Sequence, residues 1–85
     1  MSVANPVQVR LLYFAALAEA AGRESETITT AARDLRALYL DRAKALAIDW
    51  PIEHLRVAVD GAFAGWDSPL HEGAEVVFIP PVSGG

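Results

Sequence analysis

From Val7 the chain alternates. Val7, Val9, Leu11 and Tyr13 fall on one side, and Gln8, Arg10, Leu12 and Phe14 on the other. A period of two with β-branched and aromatic side chains predicts a strand over Val7–Phe14. Its second side turns apolar at Leu12 and Phe14, as in a strand that is central or covered by a partner. Ala15–Ala21 is alanine-rich, carries Leu17 and Glu19, and is followed by Gly22. That pattern predicts a short helix closed by a left-handed glycine. Thr27, Ile28 and Thr29 mark a second strand within Arg23–Thr29. Ala31, Leu35, Leu38, Tyr39, Arg42 and Leu46 then recur at helical spacing. They predict the main helix, capped by Thr29 or Thr30, with Asp34 early enough to favour its dipole. Arg33, Arg36, Asp41 and Lys44 lie off that stripe and read as a solvated face. The helix should end before Pro51.

Ile48–His54 reads as a loop and Leu55–Val59 as a strand. Asp60-Gly61 is a two-residue hairpin signal, and Ala62–Gly65 is the returning strand. Trp66-Asp67-Ser68-Pro69 is a turn, Leu70 a core anchor, and Glu72-Gly73 a turn into a last strand, Ala74–Ile79. This element order predicts an α+β fold, a mixed sheet of about five strands packed on one main helix. A last strand lying parallel beside the first would give the β-grasp topology. Residues 1–85 are expected to form a single domain with a flexible tail over 80–85.

The last strand is apolar on both sides. Val76 and Phe78 share one face, Val77 and Ile79 the other. With one face on the helix, Val77 and Ile79 should stand exposed, and Phe14 and Phe63 are candidates for the same outward face. A partner interface is expected there. The apolar fraction of 53% in so short a chain points the same way.

Charge narrows the choice of partner. A net charge of −4, with Lys44 the single lysine, argues against a nucleic-acid surface and against an anionic membrane. The chain has no cysteine, which removes disulfides, thiolate metal sites and cysteine nucleophiles together. Nothing resembles a signal peptide or a run of the roughly 20 apolar residues of a membrane span. The expected location is cytoplasmic.

Catalytic side chains are scarce. His54 sits in a loop and His71 in a turn, and the two lack the spacing of a zinc pair. Asp60, Asp67 and Ser68 are explained by turns, and no glycine run forms a phosphate loop. No metal or bound cofactor is expected. The chain does end Phe78-Ile79-Pro80-Pro81-Val82-Ser83-Gly84-Gly85. Glycine has no Cβ, so Gly84-Gly85 suits a narrow channel. Pro80-Pro81 fixes two φ angles and lowers the entropy lost on threading. The expectation is that the terminal carboxylate is the reactive group. A carboxylate is a poor acyl donor until it is joined to AMP, and this chain offers no ATP site. Another protein must therefore activate it in a site that excludes water.

Leu12-Tyr13-Phe14-Ala15, Gly22, Leu35-Arg36, Ala58-Val59-Asp60, Asp67-Ser68-Pro69-Leu70, Gly73-Ala74-Glu75-Val76 and above all the tail resemble one family. It is that of the molybdopterin synthase small subunit, a group of ubiquitin-like sulfur carriers. The resemblance implies that an E1-like adenylating enzyme uses ATP to activate Gly85, which then becomes a thiocarboxylate. It implies insertion of Pro80, Pro81, Val82, Ser83, Gly84 and Gly85 into a large synthase subunit within a heterotetramer. That subunit would supply the catalytic residues and pass sulfur to cyclic pyranopterin monophosphate for molybdenum cofactor biosynthesis. Phe14, Phe63, Val77 and Ile79 are expected at the partner interface, with Ile79 standing where the family is often aromatic. The alternatives are a carrier for thiamine, cysteine or tRNA thiolation, or a ubiquitin-like protein modifier.

Overall fold

The computed structural model describes residues 6–81. The elements run β1 (Val7–Tyr13), α1 (Ala15–Ala21), β2 (Ser25–Thr30), α2 (Leu35–Leu46), a 3-10 turn (Ile52–His54), β3 (Arg56–Val59), β4 (Ala62–Ala64) and β5 (Glu75–Ile79). The strands form one five-stranded sheet in the order β2-β1-β5-β3-β4. β5 pairs parallel with β1 and antiparallel with β3, and the remaining pairs are antiparallel. This is the mixed sheet of the ubiquitin-like β-grasp.

Alternation decides the layers. Val9, Leu11 and Tyr13 of β1, Val57 of β3, and Val76 and Phe78 of β5 point to one side and are buried. Leu35, Leu38, Tyr39 and Ala43 of α2 close over them, with Leu17 and Ala21 of α1. Four rings meet at the centre. Phe78 lies edge-on to Tyr39 at 5.2 Å, stacks on Trp66 at 6.1 Å, and tilts against Tyr13 at 6.1 Å. Leu70 packs half-buried against this core, in the anchoring role expected of it.

The turns follow their chemistry. Asp60 and Gly61 both have positive φ, 53° and 89°, as a two-residue hairpin turn requires. Gly22 closes α1 in the left-handed region and donates to the carbonyls of Ala18 and Glu19.

Three boundaries differ from the sequence expectation. The cap of α2 is Asp34, whose Oδ1 accepts from the Ala37 amide at 2.8 Å. Thr30 instead holds a local turn, its Oγ1 accepting from the Ala32 amide at 3.0 Å. Ala31 therefore lies before the helix and is exposed. The segment expected as a loop over Ile48–His54 contains a 3-10 turn. Phe14 leaves the strand to become the N-cap position of α1.

Arg42, placed on the helix's apolar stripe by spacing, has a polar partner. Its Nη2 donates to Glu26 Oε1 and Oε2 at 3.2 and 3.1 Å. Tyr13 Oη donates to Glu26 Oε2 at 2.6 Å, and Arg23 Nη1 to Oε1 at 3.0 Å. The junction ties β1, β2 and α2 together. Burial, then the Glu26 carboxylate, pushes the Tyr13 hydroxyl far above its ordinary range. Burial works to raise Glu26, but the Tyr13 hydrogen bond and the Arg42 guanidinium outweigh it and hold the carboxyl below its usual value.

Candidate functional site

β5 is the strand that leads to the tail, and it is held from both edges. Its backbone is bonded to β1 on one side and β3 on the other, and Phe78 is fully buried among aromatic rings. The ladder stops after Ile79 because proline has no N–H to donate. Pro80, half-buried, and Pro81, exposed, continue from this fixed end. Val82, Ser83, Gly84 and Gly85 lie outside the described residues.

The face of the sheet away from α2 carries an apolar row. Leu12 is opposite Val77, Val77 opposite Ala58, and Ala58 opposite Phe63. Ile79 lies further along β5 on the same face. Phe63 is 71% exposed and Phe14 51%. Both stand clear of the core. Val77 and Ile79 are half-buried rather than exposed. Their strand is central, so flanking strands shelter them on both sides.

At the root of the tail this face opens into a cleft of about 700 Å³. Glu53, His54, Leu55, Arg56, Phe63, Ile79, Pro80 and Pro81 line it. Arg56 sits directly across from Ile79 in the β3–β5 register. Sequence reasoning missed the cleft. Alternation within Leu55–Val59 puts Arg56 outward, but only the register puts it beside the tail.

The other polar candidates have structural duties. Asp60 Oδ1 accepts from the Glu75 amide at 3.0 Å, and Asp60 Oδ2 lies 3.0 Å from His71 Nε2. The Glu75 amide first, and His71 after it, hold the Asp60 carboxyl below its usual value. Glu72 Oε1 accepts from the Gln8 amide at 3.0 Å, and Asp67 pairs with Arg36 at 3.0 Å on the surface. His54 is exposed on the cleft wall. Among the described residues, no group of three or more His, Cys, Asp or Glu side chains is arranged to hold a metal. Nor is any helix among them long and apolar enough to cross a membrane.

Comparison with known proteins bears on this geometry. The model of the ThiS family matches residues 11–85, from β1 through the Gly-Gly end. The chain belongs to the ThiS family. This is a family of ubiquitin-like sulfur carriers. A protein given as molybdopterin converting factor, subunit 1, from Pyrococcus furiosus shares 29% identity at a TM-score of 0.72. The alignment covers 89% of this chain and 99% of that one. SAMP1 from Haloferax volcanii has the same fold at 23% identity and a TM-score of 0.76, covering 92% of this chain and 99% of that one. In a Helicobacter pylori complex of subunits 1 and 2 of molybdopterin-converting factor, the matched chain is 23% identical at a TM-score of 0.63. There 93% of this chain and 100% of that one are covered. No curated protein matches the chain.

Proposed function

We propose that this ThiS-family chain carries sulfur on the carboxyl group of Gly85 for molybdopterin synthesis. An E1-like partner would use ATP to convert the Gly85 carboxylate to an acyl-adenylate, releasing pyrophosphate. A sulfur nucleophile would then displace AMP and leave a thiocarboxylate. The tail from Pro80 to Gly85 would deliver that sulfur to cyclic pyranopterin monophosphate inside a large synthase subunit. In this reading the chain is a carrier, and the catalytic residues belong to its partner. The outward apolar row of Phe63, Val77 and Ile79, together with the exposed Phe14 at the start of α1, would hold the partner, while Pro80-Pro81 would stiffen the root of the tail.

The observation that carries the reading is the family match running through the Gly-Gly end, on a strand anchored as β5 is. The likeness to the Pyrococcus furiosus subunit supports the choice of pathway, and the Helicobacter pylori complex supports a large-subunit partner.

Intact-mass measurement tests it. The chain is incubated with an adenylating enzyme, ATP and a sulfur donor, then mixed with large subunit and cyclic pyranopterin monophosphate. The expected result is a mass gain equal to one oxygen replaced by sulfur, followed by its loss as molybdopterin forms. An unchanged mass overturns sulfur carriage. A thiocarboxylate that the large subunit does not consume overturns the pathway alone. Conjugates joining Gly85 to target lysines, without thiocarboxylate, would favour a protein modifier.

A further inference from the structure

We propose that Arg56 is a specificity contact at the root of the tail, receiving a carboxylate that the large subunit carries beside an apolar side chain. The inference rests on the reading above, because it concerns the partner that takes the sulfur.

The cleft has two kinds of wall. Phe63, Ile79, Pro80 and Pro81 are apolar, and Phe63 and Ile79 continue the outward row of the sheet. Arg56, His54 and Glu53 form its polar rim. Its volume has room for several side chains of a partner.

Charge selects the occupant. The chain holds seven Lys and Arg residues. Arg23, Arg36 and Arg42 are each engaged with a carboxylate of this chain. Arg10 sits at the other end of β5, in register with Glu75. Arg33 precedes α2 and Lys44 lies on it, and neither lines the cleft. Arg56 alone combines a place in the cleft wall with no ion pair among the described residues.

An exposed guanidinium flanked by apolar surface suits a carboxylate seated against it, since partial desolvation strengthens the pair. On an acidic chain such a contact is discriminating. A partner that is basic overall meets the general surface well, but must place one acid at the tail root to satisfy Arg56.

Binding of the large subunit to wild-type chain, Arg56→Glu, Arg56→Ala and Arg56→Lys, measured by calorimetry at low and high salt, tests the proposal. Arg56→Glu should raise Kd about tenfold at low salt, Arg56→Ala less, and Arg56→Lys least. The gap between wild type and Arg56→Glu should shrink as salt rises. Arg56 is exposed, so the thermal midpoints of all four chains should agree, which separates binding from folding. Equal Kd values for wild type and Arg56→Glu, or a gap that salt does not change, overturn the role of Arg56 while leaving sulfur carriage intact. Failure of the wild-type chain to bind overturns the large-subunit reading and this inference with it.

Discussion

Glu26 accepts hydrogen bonds from Tyr13, Arg23 and Arg42. Its side chain is 9% exposed, so it is costly to disturb. Glu26→Gln keeps the shape but loses the charge that faces Arg42. It should cost about 2 kcal/mol at neutral pH, read by urea denaturation. The pH dependence has a definite sign. A carboxyl whose folded value is lowered binds its proton more tightly when unfolded. Its contribution is complete above the unfolded value near 4.5 and is lost as pH falls through the lower folded value. Wild type should therefore lose more stability than Glu26→Gln on acidification from roughly pH 5 to pH 3. Equal slopes would show that the junction is not carried by this charge. None of this was legible in the sequence. Helical spacing placed Arg42 among the apolar residues, and its partner lies sixteen positions away on another element.

Element types were legible because periodicity reports them directly; their starts were set by partners elsewhere in the chain. α2 begins at Leu35 rather than beside Thr30 because two of its first amides are satisfied from the 66–68 loop. The Leu35 amide donates to the Ser68 carbonyl at 3.1 Å, and the Arg36 amide to the Trp66 carbonyl at 2.9 Å. Asp34 satisfies a third orphan amide. Asp34→Ala should cost about 1 kcal/mol, while Thr30→Ala should leave the helix start unchanged by amide exchange. The other end carries strain. Ala47 caps α2 at φ 58°, where a Cβ is unfavourable. Ala47→Gly should raise the thermal midpoint, by less than about 1 kcal/mol in free energy because glycine also gains freedom in the unfolded chain. A lower midpoint would mean that the Ala47 methyl supplies packing worth more than the strain.

Across the whole molecule, the core and the outward apolar face are separated by the pleat of β5. Val76 and Phe78 face α2, and Val77 and Ile79 face outward. That division could be read from alternation alone. The cleft could not, because it arises only when β3 is registered so that Arg56 meets Ile79. The separation predicts unequal costs for one kind of change. Phe63→Asp alters a side chain 71% exposed on an edge strand. It should change folding stability by less than about 1 kcal/mol. Ile79→Asp puts a charge on a half-buried position of the central strand and should cost roughly 2 kcal/mol. Both remove apolar area from one surface, so both should weaken large-subunit binding by tenfold or more on the order of interface hot spots. Chemical denaturation and calorimetry on the same preparations give the two quantities. If Phe63→Asp loses as much folding stability as Ile79→Asp, then Phe63 packs within the fold and is not a contact residue. If instead its binding is unchanged while folding is intact, the partner docks elsewhere on the molecule.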